Sequence, residues 1–503
     1  MATDTYNSGI LKTQTPGVGW TGVEIDNTRR IFGIGDRVSE LSPEQSLFFT
    51  YLTKVAKQSI DDTVWKPLEY RHQWQRRNFQ MEHVYFTAGA YDDAEDIEVA
   101  TSTASNTSTH IAIQCDYNHQ GKQLASYTSL GTSETGGYSP IFLVPGQVLR
   151  INGVAYKLTT APLYYDEDSA ATNWNKTTTP GVNRGGFAIV PLASLKVVST
   201  GSSIATEAID AAQSYDGQVI GSQWAEGSQA PDGWRDELSD TEFYAQIFKT
   251  SVPLMSGSAM ATRYRGYQNE WKRIYSEHVM SHKMDIENAM LFGYGKYTNQ
   301  DSRYSWGMIP FLENNGGKLY TMDYDADVAS PSVSGDLPFT YDGLVDLMED
   351  FMAPESGNSG QKLVFTSRGV IARMSKMGAD SFVAKSLGAN NVFRANLDVK
   401  PSKFAPVDVT SIGTSFGSLN FIAHPLFRGD MEHKAVAIDL SNVKYRPLAA
   451  NGQNRDTFVE TNIQDNSTDG RKDQIITEAG LEVNLPETHA VITFKSDSTN
   501  DAG

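Results

Sequence analysis

Apolar side chains recur along this chain with two different periods. The longest helical pattern runs from Tyr264 to Gly293. Tyr264, Tyr267, Trp271, Ile274, Tyr275, Val279, Ile286 and Met290 recur at helical spacing, while Asn269, Glu270, Arg273, Glu277, Ser281 and Asn288 fall on another face. The stretch contains no proline, Arg273 and Glu277 stand one turn apart, as do Lys283 and Glu287, and Gly293 suits a left-handed C-cap. At 1.5 Å per residue the predicted helix is roughly 40 Å long. The period is equally compatible with a core helix of an α+β domain and with a structural spine to which sheets attach.

Around this helix the period shortens. Residues 1–40 have little periodicity and read as an extended arm. Ser42, Pro43 and Gln45 form a capping signature for a helix from Pro43 to Gln58. From Thr63 onward Trp65, Tyr70, Trp74 and Phe79 are interleaved with Lys66, Arg71, Arg76 and Arg77, a strand-like run. Residues 87–140, rich in Ser, Thr, Gly and Asp, read as a surface insertion with one short apolar strand near Ile111–Cys115. Asn152–Gly153 predicts a type I′ turn between strands Val148–Ile151 and Val154–Leu158. Residues 162–185 read as polar loop, followed by strands in 187–198 and at Phe243–Val252. Thr340 is placed to cap a helix with the face Leu344, Leu347, Met348 and Phe351, and Ser367 to cap another after the strand at 362–366. This strand–helix alternation marks an α/β unit over 339–427, and the remainder reads as strands.

Composition narrows the class. The 503 residues contain 39% hydrophobic side chains, enough for packed cores, and no apolar run long enough to span a membrane. The first residues lack a signal-sequence pattern, and the single cysteine, Cys115, excludes an internal disulfide and fits a cytosolic site of folding. A net charge of −18 argues against a dedicated nucleic-acid binder. The basic-aromatic run at Trp65–Phe79 has the residue types that grip single-stranded nucleic acid, but in an acidic chain it reads better as a protein interface anchored by Arg and Trp.

Catalytic signatures do not emerge. The sequence has no nucleophile elbow, phosphate loop or dinucleotide fingerprint, and Cys115 reads as a small buried residue. His278 and His282 lie one turn apart, but Glu277 precedes them and the HExxH order is lacking, so packing is the simpler role. Asp323, Asp325 and Asp327 open like a calcium loop, yet Val328 and Ser334 occupy the positions that need Gly and Glu; a solvated acidic loop is the simpler reading. Neither cofactor nor metal site is expected, and no enzymatic activity. A long helix, an arm, a large β excursion and no catalytic motif together describe an assembly protein.

Four stretches in order carry a family resemblance: residues 40–70; the hairpin region 142–161 with 221–234; residues 241–266 running into the long helix, its DIENAMLFG end and WGMIPFL at 306–312; and residues 469–494. Together they resemble the major capsid proteins of tailed bacteriophages with the Hong Kong 97-type fold, in the branch with a β-rich extended loop. The resemblance implies an α+β subunit: an N-terminal arm with a short helix (1–75), an extended loop with a β-rich insertion (76–245), a peripheral domain with the spine helix (246–338), an axial α/β domain (339–427), and peripheral return strands with a C-terminal tail (428–503). It further implies homo-oligomeric hexamers and pentamers in an icosahedral virion shell enclosing double-stranded DNA without sequence-specific binding. A separate scaffolding protein, a portal and decoration proteins are the implied partners, no membrane is involved, and assembly takes place in the host cell cytoplasm. Tyr267, Trp271, Ile274, Ile286 and Met290 are the expected core of the spine, and Lys66, Arg71, Arg76 and Arg77 the candidate contacts between subunits. The competing class is a secreted or surface β-rich adhesin or glycan-binding protein, motivated by the Ser/Thr/Asn-rich inserts.

Overall fold

A computed structural model describes residues 47–71, 77–84, 96–97, 110–122, 124, 136–167, 174–202, 215–231, 233–235, 237–264, 269–295, 297–299, 302–324, 337–352, 360–374, 402–404 and 407–495. Three hydrophobic cores organise them.

The spine helix runs from Glu270 to Phe292, about 34 Å at the standard rise. Asn269 caps it, its side-chain oxygen accepting the Lys272 N–H at 3.0 Å, and Arg273 pairs with both Glu270 and Glu277. The start is therefore later than the periodicity predicts; of the intervening residues, 265–268 lie outside the described set. Gly293 ends the helix in extended rather than left-handed geometry, φ −66° and ψ 143°. It is glycine for a different reason: a Cβ there would lie 2.5 Å from the Ala289 carbonyl oxygen and 2.6 Å from that of Ser305. Only the C-terminal half of the helix is deeply buried, through His282, Ile286, Glu287, Met290 and Leu291.

That half packs into the first core together with a helix at Leu47–Val55, a helix at Met308–Asn314, and a sheet in which Gln474–Val483 lies between Gln246–Ser251 and Val443–Pro447. The first helix ends at Val55, short of the expected Gln58, and Ser42, Pro43 and Gln45 lie outside the described residues. Its Phe48 N–H is instead met by Glu287 of the spine at 3.1 Å, while Phe48 and Phe49 stack edge-on against Phe365 and Tyr445. Strand Gln474–Val483 is buried along almost its whole length, and Ala479, Leu481 and Val483 of one face point into this core.

An eight-stranded sheet sits alongside, in the order Leu337–Pro338, Lys318–Asp323, Ala490–Lys495, Lys434–Ile438, Gln361–Thr366, Ser418–Ala423, Val407–Gly413, Ser402–Phe404. Its period-two pattern serves two cores: Leu363, Phe365, Ile422, Val436, Ile438 and Val491 face the first, while Val364, Leu419, Phe421, Ala435, Ala437, Ile492 and Phe494 face another. The second face is covered by helix Tyr341–Phe351, capped by Thr340 as predicted, with Leu344, Leu347, Met348 and Phe351 buried. Ser367 Oγ likewise accepts the Val370 N–H at 3.2 Å, whereas Gly378 lies outside the described residues. The sheet reaches past 339–427, since residues 318–323, 434–438 and 490–495 are strands of it.

The third unit is a ten-stranded antiparallel sheet with its own core, in the order Leu195–Val197, Val154–Leu158, Gln147–Ile151, Tyr215–Ser222, Asn78–Val84, His110–Gln114, Phe187–Pro191, Leu163–Glu167, Trp174–Lys176, Asp96–Ile97. The predicted hairpin is present, with Asn152 and Gly153 at φ 45° and 79°, the left-handed values a type I′ turn demands. Two expectations are corrected here. His110–Gln114 is an interior strand with Ile111 and Ile113 fully buried, not a piece of surface insertion. Residues 162–185 hold two strands rather than continuous loop.

Candidate functional site

With no catalytic signature in the sequence, the chemistry of this chain lies in the surfaces and ion-pair clasps around the β lobe. Strand Leu68–Glu69, at its base, pairs with Ser239–Asp240. Arg71 sits just beyond and is largely buried. Its Nε and Nη2 donate to Glu487 at 2.8 and 3.0 Å, Nη2 also donates to Glu69 at 2.8 Å, and Nη1 donates to Ser239 Oγ at 2.5 Å. Burial opposes the guanidinium charge, but Glu487 and Glu69 more than offset it, and its pKa is raised. Glu69 Oε1 accepts the Leu485 N–H at 2.7 Å. Arg71 is thus bound within its own subunit, because a neighbouring carboxylate, Glu69, and a sequence-distant one, Glu487, together with Ser239 occupy its fork.

Lys66 lies at the surface with Glu242 at 2.6 Å and Asp240 at 3.5 Å, and the hydrogen bond to Glu242 is the main cause of its raised pKa. Arg76 lies outside the described residues. Arg77 holds its guanidinium 5.4 Å from the centre of the Trp234 ring. The structure therefore separates the four basic candidates: one internal clamp, one surface pair, one cation over an indole, one undescribed.

Next to the clamp is a ladder of carboxylates that the sequence reading did not single out. Glu478 and Glu482 project from the face of strand Gln474–Val483 opposite Ala479, Leu481 and Val483, and both are buried. Glu482 accepts Trp65 Nε1–H at 2.9 Å and Arg446 Nε–H at 2.6 Å. Glu478 accepts Arg303 Nη2–H at 2.9 Å and pairs with Arg455. Just before the strand's start, Arg471 Nη2 and Nε donate to Asp473 Oδ2 at 2.7 and 2.9 Å, and Nε also donates to Oδ1 at 3.1 Å. The signal was present as two acids four residues apart in an apolar strand.

Of the spine residues, Ile286 and Met290 are buried, Trp271 and Ile274 are half-buried, and Tyr267 lies outside the described set. Arg471 lies 5.3 Å from the centre of the Trp271 ring. His278 donates from Nδ1 to the Ile274 carbonyl at 2.8 Å, and His282 lies between the Thr250 and Thr477 hydroxyls, each at 2.8 Å. Among the described residues no group of three or more His, Cys, Asp or Glu is placed to hold a metal. Cys115 is buried with its thiol on the Tyr117 carbonyl, and burial pushes its pKa up, so it is a poor nucleophile. Asp325, Asp327, Val328 and Ser334 of the acidic loop lie outside the described residues.

Large apolar side chains remain at the surface in places. Leu68 is 69% exposed and Leu238 50%, both at the lobe base beside Tyr70; Tyr294 is 72% exposed just past the end of the spine. Exposed apolar residues of this size suit contacts with other molecules.

A sequence model of the family described as SU10 major capsid protein matches residues 24–496. A search of curated proteins returns no match. Among solved structures, the chain is similar to the satellite phage P4 procapsid including its size determination protein (13% identity, 55% of this chain and 80% of that one, TM-score 0.33). It is also similar to a chain of Mycobacterium phage Patience (13%, 54% and 76%, TM-score 0.34) and to the capsid of Myoviridae phage XM1 (13%, 54% and 81%, TM-score 0.34). With the family match running across nearly its whole length, the chain belongs to the SU10 major capsid protein family.

Proposed function

We propose that this chain is the coat subunit of a tailed bacteriophage, with the Hong Kong 97-type fold, that self-assembles into an icosahedral shell enclosing the double-stranded genome. The observation that carries this is the family match over residues 24–496. It leaves the adhesin reading without support, and membership of a capsid family implies a structural rather than an enzymatic role. The finer reading has hexamers and pentamers as the capsomers, scaffolding and portal proteins as assembly partners, decoration proteins as possible additions, and the host cytoplasm as the place of assembly. The ten-stranded lobe corresponds in this reading to the extended loop, the eight-stranded sheet to the axial domain, and the spine with its own sheet to the peripheral domain.

The physical features agree. A lobe with a separate core can reach a neighbouring subunit without weakening the rest of the fold. Exposed apolar residues at the lobe base and beyond the spine supply contact area that repetition in a lattice multiplies. The acidic balance disfavours trapping contact with packaged DNA. Contacts between subunits are assigned to Lys66, Arg76 and Arg77, with Arg71 reassigned to the internal clamp. The test is sedimentation and negative-stain microscopy of the purified full-length protein, alone and co-expressed with a scaffolding partner. Shells, tubes or isolated capsomers support the coat reading; persistent monomers under both conditions count against it.

A further inference from the structure

Most buried carboxylates in this fold keep a Lys or Arg beside them, and fully buried Glu287 meets His424 and the Phe48 N–H. Glu69 and Glu487 meet Arg71, Glu478 meets Arg303, Glu482 meets Arg446, Asp439 meets Lys362 and Asp473 meets Arg471. Asp166, on strand Leu163–Glu167 of the β lobe, is different. It is 6% exposed, and no Lys or Arg pairs with it among the described residues. Its Oδ2 accepts the neutral Asn183 Nδ2–H at 3.3 Å, and its Oδ1 has no hydrogen-bond partner. Burial raises its pKa, with Thr177 and Asn183 pulling the other way. A second oxygen nearby is in the same position: Ser139 is 2% exposed, and its Oγ also lacks a partner.

Both oxygens look onto one face of Gly186. A Cβ added there would strike Asp166 Oδ1 and lie 2.8 Å from Ser139 Oγ and 3.3 Å from the Asn183 carbonyl oxygen. The backbone around them is fixed. Gln114 Nε2 donates to the Gly186 carbonyl at 2.8 Å while its Oε1 accepts the Gly137 N–H at 3.2 Å. Gly185 N–H donates to the Gly137 carbonyl at 2.8 Å, and Arg184 Nε donates to that of Gly136 at 3.2 Å. The loops at 136–139 and 183–186, far apart in sequence, are thereby fixed beside strand Leu163–Glu167, so that Ser139 Oγ and Asp166 Oδ1 approach the same face of Gly186, while Asn183 at the rim is exposed to solvent.

We propose that Asp166 Oδ1, Ser139 Oγ and the Asn183 carbonyl oxygen form a binding site for a divalent cation of the calcium class. A carboxylate, a hydroxyl and a carbonyl are hard donors that suit calcium rather than zinc, and water on the Asn183 side completes the shell. Calcium takes its oxygens at about 2.3–2.6 Å, so the site requires the Ser139 and Asp166 side chains to turn towards the ion on binding. The ion supplies the positive charge that Asp166 lacks, and joins the loop at 136–139 to the loop at 177–186. A water bridging the two free oxygens is the competing occupant, and it predicts no dependence on calcium.

The test uses the full-length protein, treated with chelator, dialysed and titrated calorimetrically with calcium chloride. With a single carboxylate the site falls in the weak class, so we expect one ion per chain with Kd on the order of 0.1–1 mM, and raised melting temperature and amide protection at 136–139 and 177–186. Asp166→Asn weakens binding at least about tenfold, the loss of one charged ligand, and Ser139→Ala, a milder change that preserves the fold, weakens it by a few fold. Absence of saturable binding in the wild-type protein overturns the site, as does unchanged affinity in Ser139→Ala together with Asp166→Asn. Should Asp166→Asn fail to fold, the wild-type stoichiometry and Ser139→Ala decide alone.

Discussion

His489 is fully buried beside the Lys362–Asp439 ion pair, and its Nδ1 accepts the Asp439 N–H at 3.0 Å. That bond requires the neutral ring. Burial, reinforced by the Lys362 charge, pushes its pKa down to about 3. A depressed histidine means that the unfolded chain binds more protons than the folded one at pH values between the two pKa values. Its contribution is therefore complete above the ordinary value of about 6.5 and is lost as pH falls towards about 3, by up to about 1.4 kcal/mol per pH unit. Asp439, whose carboxyl is held low mainly by Lys362 and Ser441 against the opposing effect of burial, adds a loss of the same sign below about pH 4. Urea unfolding across pH 4–7, the range that brackets the histidine window at about 6.5, should show a shallower slope for His489→Gln than for the wild-type chain. Parallel slopes would show that His489 is not held neutral. Such pairings were half legible in the sequence. Glu478 and Glu482 could be seen as charges in an apolar strand, but Trp65, Arg303, Arg446 and Arg455 are brought to them by the fold, and no local pattern names a partner 417 residues away.

Among elements, those whose signals are local were read well. Thr340 and Ser367 cap the helices they were expected to cap, and the Asn152–Gly153 turn pins its hairpin. The strands at Leu163–Glu167 and Trp174–Lys176 were missed because Asp, Asn and Thr dominate their surroundings and their pairing is non-local: Phe187–Pro191 pairs with Leu163–Glu167, which in turn pairs with Trp174–Lys176. The spine helix was read with its stripe continuous, but the isolated subunit buries only its C-terminal half. Met290→Ala should then cost about 2–5 kcal/mol in denaturant unfolding of the subunit. Ile274→Asp, at a half-buried position, should leave the subunit folded with a smaller loss and show its main defect in particle yield. Equal destabilisation by the two would show that the N-terminal half carries as much of the subunit core as the C-terminal half.

For the whole molecule, the family and its mixed helix-and-strand fold were legible through resemblance, while the division of strands between sheets was not. Lys318–Asp323, Lys434–Ile438 and Ala490–Lys495 join the eight-stranded sheet through register that only the folded chain defines. The same limit applies to the basic run at the lobe base, where Arg71 turns inward to Glu487. For Arg76 and Arg77 the proposed ion pairs act through repetition, since an exposed pair is worth only about 0–1 kcal/mol on its own. Arg76→Glu combined with Arg77→Glu should reduce particle yield in the absence of nucleic acid; normal empty shells with a defect only in DNA retention would assign these residues to the genome instead. The central claim is that copies of this chain build the shell. Cryo-electron microscopy of particles formed by the expressed protein, solved to the level at which helices are traced, tests it most directly. The claim predicts a closed icosahedral layer made of this chain, with the ten-stranded lobe of each subunit lying across a neighbour. Soluble monomers, or particles whose shell is traced to a different chain, would contradict it.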